Sequence, residues 1–229
     1  NITSKKNHLD CLLQNEKLDV ALFVLEDIAK NAQIKKKENK GSFEFKARKI
    51  SDTFKDKILQ IDGDSQRAKE MEQIDLEGRG WFAQNEIWGT SEEESFLKFF
   101  DEVVDNLKKK YNQFAVMRNE RHFKIFNFED GQPFEPDFVL FLKEKKTKKE
   151  LMYQVFIEPK GDQFLDEDGL FQKGKEGWKE KFLLQIAEKY KLDLDQFKIQ
   201  NKDFKLIGLP FYNEGLKERF EESFYELIK

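Results

Sequence analysis

The sequence predicts an α/β domain, a central mixed β-sheet flanked by helices, with a helical segment before it. Three observations point there. Apolar runs of strand length recur at 113–117, 122–128, 134–142 and 151–158, and helical periodicity brackets them on both sides. The chain also holds 24 Phe among its 229 residues, enough large apolar surface to build a core although 38% of residues are charged and mean hydropathy is −0.78.

From residue 6 to about 32, Leu9, Leu12, Leu13, Val20, Phe23, Val24 and Ile28 recur at helical spacing. The charged stretch 35–41 reads as a solvated turn, and a second helical stretch over 51–61 stops at Asp62-Gly63-Asp64. Residues 1–85 are therefore expected to be a helical connector or lead-in, and 86–229 the functional domain. Texture changes between Gly80 and Gly89. Thr90 or Ser91 can then cap a helix whose Glu92, Glu93 and Glu94 complement its positive N-terminal dipole, and Phe96, Phe100, Val103 and Leu107 continue one apolar face to about Lys110. The four strand-length runs follow as a mostly antiparallel meander, with Asp130-Gly131 and the charged tip 143–150 as turns. A glycine-rich loop leads to a helix over 178–190, a buried strand over 204–209 and a closing helix over 216–228. No internal repeat or low-complexity segment interrupts this order.

Composition also limits the chemistry. Cys11 is the sole cysteine and His8 and His122 are the sole histidines, so a disulfide framework, a cysteine-clustered zinc site and a multi-histidine centre are all excluded. Any resident metal must be a hard cation held mainly by carboxylates. The longest apolar runs, such as Val20 to Leu25, are too short to span a bilayer, and no basic segment leads into an apolar one. A soluble, cytoplasmic protein is expected, without membrane association. Since the first residue is Asn1, a piece of a longer chain is expected as well.

The stretch that carries chemistry is Glu135-Pro136-Asp137, at the start of one apolar strand, followed by Glu158-Pro159-Lys160 at the end of the next. If the two strands pair as a hairpin, Asp137 and Glu158 meet at one end of the sheet. Two carboxylates there suit Mg²⁺ or Mn²⁺. Lys160, two residues beyond Glu158, shares its face while the backbone stays extended. The acid-x-Lys spacing alone says little, because it occurs five times; only Glu158 follows a long apolar strand and has an acidic partner one hairpin upstream. Without that context, Pro136-Asp137 is a turn and Glu158/Lys160 a solvated strand end. A sugar hydrolase using the two acids is a weaker alternative, since it leaves Lys160 without a role.

Glu135-Pro136-Asp137 with Glu158-Pro159-Lys160 resembles the signature of PD-(D/E)xK nucleases. Ser91-Glu92-Glu93-Glu94-Ser95-Phe96 is similar to the serine, glutamate, phenylalanine pattern on the preceding helix of type III restriction enzyme nuclease domains. The resemblance extends over about 88–209 and implies a restriction-endonuclease-like core that hydrolyses DNA phosphodiesters with Mg²⁺, Mn²⁺ being an alternative. It implies Asp137 as central metal ligand, Glu158 as second, the Pro159 carbonyl as third, and Glu93 as the helix carboxylate that reaches the metal, with Glu92 and Glu94 as rivals. It also implies that Lys160 orients or deprotonates the attacking water, or neutralises charge on the phosphate. The proline at 159 departs from the usual small or β-branched residue and withholds an N–H from the strand ladder. A helicase motor in the same full-length chain and a methyltransferase or specificity subunit are the implied partners. No Gly-x-x-x-x-Gly-Lys loop is present, so ATP binding is not expected here. The alternative is an inactive module that keeps this fold to bind DNA or a subunit.

With a net charge of −4, DNA contact must come from local basic surface. Arg118, Arg121, His122 and Lys124 precede Asp137, and Lys173, Lys175, Lys179 and Lys181 flank the following helix. Gln185 and Tyr190 are further candidates to line a cleft, whereas Trp178 reads as a packing residue.

Overall fold

The computed structural model describes residues 13–34, 40–43, 50–56, 63–64, 66–144, 150–171, 175–192 and 202–229. The chain forms two compact units, 1–40 and 41–229. The first contributes helix α1, Gln14–Ile34. None of the described helices is long and apolar enough to cross a membrane.

The second unit begins with two single-turn helices, α2 (Ile50–Thr53) and α3 (Gln66–Lys69), and an antiparallel pair, β1 (Glu72–Asp75) with β2 (Glu86–Gly89). The latter half of the expected helical connector thus contains strand structure and enters the core through Ile74, Leu76, Trp81 and Phe82. Each four-residue strand buries a single isoleucine between exposed neighbours, a pattern too short to separate from a loop.

Helix α4, Ser91–Lys110, starts in a capping box: Thr90 Oγ1 accepts from the Glu93 N–H, and Glu93 Oε2 accepts from the Thr90 N–H at 2.8 Å. Lys108, Lys109 and Lys110 close it in the last turn, where cations suit the negative end of the dipole. Strand β3 (Tyr111–Arg118) follows at once. The stretch expected as a strand over 122–128 pairs only at β4 (Ile125–Phe126) with β5 (Pro133–Phe134), a two-residue ladder outside the central sheet. Then come β6 (Phe138–Glu144), β7 (Glu150–Ile157), α5 (Gly177–Leu192), β8 (Lys202–Gly208) and α6 (Lys217–Ile228).

The central sheet has the order β3-β6-β7-β8. Its first three strands are antiparallel neighbours and β8 pairs parallel to β7, as a helical crossover requires. The sheet is therefore mixed, and helices flank it. Phe138, Leu140 and Leu142 of β6, with Val155 and Ile157 of β7, join the core formed with α4 and α6. Val139 and Phe156 join the core formed with α5. Covering both faces explains why the stretches 138–142 and 155–157 are apolar without interruption.

Helix α5 seats directly on β8. A Cβ added at Gly208 would meet the Leu183 carbonyl oxygen at 2.1 Å, backbone that cannot swing aside. Gly208→Ala is expected to destabilise the domain by about 1–3 kcal/mol, read as a lower denaturation midpoint; an unchanged midpoint would show that the helix shifts freely.

Candidate active site

The register of β6 and β7 pairs Phe138 with Ile157, so Asp137, just before β6, and Glu158, just after β7, face each other at one sheet end. The Asp137 N–H donates to Glu158 Oε2 at 2.9 Å, and its carbonyl accepts from the Asn119 N–H at 2.8 Å. Asn119 folds the preceding turn: its Oδ1 accepts from the N–H groups of His122 and Phe123, while Glu120 and Arg121 sit at φ of 41° and 59°. That turn ends β3 beside the site.

Lys160 Nζ lies 2.8 Å from Glu158 Oε1, and the Glu158 side chain is only 2% exposed. Pro159 meets no conflict with strand pairing. The chain at Tyr212 forms a parallel bridge with it, in which the Lys160 N–H donates to the Tyr212 carbonyl and the Tyr212 N–H to the Glu158 carbonyl. A bridge of this kind uses the residues on either side of 159, so the missing N–H is not called upon. Asn213 completes the brace, its Nδ2 donating to the Lys160 carbonyl at 2.9 Å and to Asp162 Oδ1 at 2.8 Å.

Glu93 is drawn toward another charge. Arg118 Nη2 donates to Glu93 Oε1 at 2.7 Å and Oε2 at 3.0 Å, and Arg118 Nη1 donates to the Trp88 carbonyl. Arg118 is thus a buried partner of Glu93 and of the β2 end, not an open phosphate contact. Glu92 lies nearer to Gly161: a Cβ there would meet Glu92 Oε1 at 2.3 Å. Both Glu92 and Glu93, with Asp137, Pro159, Lys160 and Phe164, line a cleft of about 140 Å³. A larger hollow of about 770 Å³ beside Arg79, Trp81 and Asp101 lacks such chemistry, since Arg79 Nε and Trp81 Nε1 both donate to Asp101.

The other described basic candidates are exposed or paired. Arg121 and Lys175 are exposed. Lys124 pairs with Glu135 at 2.8 Å, and Lys179 pairs with Glu176. Lys173 lies outside the described residues. The Trp178 ring packs edge-on to Phe134 at 6.3 Å. The carboxylate of Glu176 near Lys160 and the Asn213 brace carried no signal in the sequence, since both depend on contacts between distant segments.

Negative charge is concentrated here and only partly offset by Lys160 and Arg118. Burial first, and then the Glu158 carboxylate, push the Asp137 carboxyl up to about 8, against Lys160 and Arg118. Burial likewise raises Glu158, opposed by Lys160. Glu93 is raised to about 7, again by burial, with Arg118 opposing and Asp137 adding. Burial would lower Lys160, but Glu158 and Asp137 outweigh it and hold the ammonium above its usual range. Two oxygen-donor carboxyls repelling each other fit a hard divalent cation, which would replace their protons. Among the described residues, no three His, Cys, Asp or Glu side chains are grouped to hold a metal ion, and both Glu93 oxygens are engaged by Arg118.

A protein of Haemophilus influenzae, described only as an uncharacterized protein, is 39% identical over 158 residues, which cover 63% of this chain and 32% of that protein. The chain thus spans about a third of the length of the curated relative it matches. No solved structure matches it. The match to the family described as HI_1054_C, C-terminal domain, runs over residues 40–227, most of the second unit and of the whole chain, and the chain belongs to that family.

Proposed function

We propose that this chain carries a divalent-cation-dependent DNA endonuclease domain of the PD-(D/E)xK type, with a restriction-endonuclease-like core akin to the nuclease part of type III restriction enzymes. The observation that carries this reading is the meeting of Asp137, Glu158 and Lys160 at one sheet end. The chain order of helix, strands, the Asp137 strand, the Glu158 strand, helix and parallel strand supports it further.

Asp137, Glu158 and the Pro159 carbonyl would hold Mg²⁺ or Mn²⁺, which supplies Lewis-acid stabilisation of charge on the transferred phosphoryl group. Lys160 stays cationic beside Glu158, which favours donation to a phosphate oxygen over proton abstraction from water. Glu158 fixes that ammonium through the 2.8 Å contact. Glu93, clamped by Arg118, shapes the helix end of the cleft. The full-length protein would add a helicase motor, work with a methyltransferase or specificity subunit, and act on DNA in the cytoplasm.

The test is Mg²⁺ titration calorimetry beside a plasmid-cleavage assay. Because a cation must displace a proton from Asp137, affinity is expected to rise up to about 10-fold per pH unit between about pH 6 and 8. Metal binding with that slope, together with cleavage, supports the reading. A second reading, an inactive module that binds DNA or a subunit, draws on the clamping of the Glu93 carboxylate by Arg118; it predicts no Mg²⁺ binding that depends on Asp137 and Glu158.

A further inference from the structure

Glu176, in the turn leading into α5, sets its carboxylate between two ammonium groups. Its Oε2 pairs with Lys179 Nζ and lies 3.8 Å from Lys160 Nζ. Both lysines rest against rings: Lys179 Nζ is 5.5 Å from the centre of Phe134, and Lys160 Nζ is 5.1 Å from that of Phe164. The side chains of Lys160, Glu176 and Lys179 are only 13%, 20% and 21% exposed. They are not the solvated lysines of an open surface. Aromatic faces restrict where each ammonium can point, and partial burial makes each need an anion.

An oxygen anion held by two lysines matches the way a phosphate is held. Glu158 already occupies one side of Lys160, at 2.8 Å, while Glu176 takes a further side of Lys160 and the head of Lys179. Glu176 also differs from Glu158 in being movable. It sits in a turn rather than at the end of a core strand, and it is ten times as exposed by side chain, 20% against 2%. It can leave without opening the core.

We infer that Lys179 and Lys160 form a phosphate subsite at the edge of the cleft, and that Glu176 is a displaceable internal anion which fills it until a backbone phosphate enters. The identification of the incoming group as polynucleotide phosphate rests on the nuclease reading; the subsite itself requires only an anion with phosphate chemistry. Glu176 then sets a threshold. A ligand must supply enough phosphate contacts to evict it, so isolated phosphates are disfavoured relative to a polyanion.

The experiment uses the 229-residue chain in EDTA, where no cleavage occurs, with a short labelled DNA duplex and, in parallel, inorganic pyrophosphate as probes. Glu176→Gln is expected to lower the duplex Kd about 5–10-fold at low salt and to steepen the dependence of log Kd on log salt by about 0.9 for each lysine released. Glu176→Ala should act in the same direction, and adding Lys179→Ala to Glu176→Gln should cancel the gain. If both Glu176 variants keep the wild-type thermal transition and bind neither probe more tightly, the subsite is overturned, even where the wild type cuts DNA. A lowered thermal transition without any gain in affinity assigns Glu176 to stapling α5 and overturns it too. Tighter pyrophosphate binding by Glu176→Gln, with no duplex binding by any variant, supports the subsite and removes the nuclease reading instead.

Discussion

Asp137→Asn is expected to lower Mg²⁺-dependent DNA cleavage at least ~10³-fold while making the metal-free protein more stable at pH 8. The two effects have one origin. Asp137 and Glu158 are pressed together with too little positive charge to balance them, which is useful to a cation and costly without one. The folded Asp137 carboxyl titrates near 8, above its unfolded value of about 4. Its contribution to stability is therefore fully present below about pH 4 and is lost as pH rises toward 8. Asparagine removes that loss, and its amide can donate to the Glu158 carboxylate where the carboxylate of Asp137 cannot. A gain on the order of 2 kcal/mol at pH 8 in EDTA is expected, shrinking at pH 5 and shrinking again when Mg²⁺ stabilises the wild type. Lys160→Ala should abolish cleavage as well but lower stability, because it leaves Glu158 buried without its ammonium. Thermal denaturation at both pH values, with and without EDTA, separates the variants. Cleavage retained by both purified proteins would sink the assignment of these residues.

Arg118→Met should cost about 3–5 kcal/mol of stability, the largest loss expected of any single change described. Arg118 is 8% exposed and Glu93 4%, so removing the guanidinium strands a buried carboxylate and also frees the Trp88 carbonyl at the end of β2. Glu93, already near 7, would rise further without its partner. The sign of the pH effect follows: the variant is least impaired where Glu93 is protonated and most impaired above about pH 7. Adding Glu93→Gln should recover part of the loss, as a double-mutant cycle would measure. A loss below about 1 kcal/mol would mean that the pair does not anchor α4 to the sheet.

Much of this was legible in the residues because it is local. The capping residues Thr90 and Glu93, and the apolar face of Phe96, Phe100, Val103 and Leu107, follow from helical spacing. The approach of Asp137 to Glu158 follows from hairpin pairing, which brings the start of one strand to the end of the next. What stayed hidden depends on distant segments. Arg118 read as a basic surface residue because nothing in its neighbourhood announces Glu93, twenty-five positions earlier. The short ladder at Ile125 and Phe134 carries too few residues for a period of two to declare itself. Pro159 looked like an obstacle to pairing until Tyr212, from beyond β8, supplied the bonds on either side of it.

The parallel bridge at Tyr212 has a bearing on how the protein comes to be active. Asp137 and Glu158 flank strands joined by a short connection and can meet early in folding, whereas β8 and Tyr212 arrive only after the long excursion through α5, a closure that is entropically slower. A nascent chain would thus bring its acids together before the strand that holds Lys160 in line is secured, and competence would be the last property acquired.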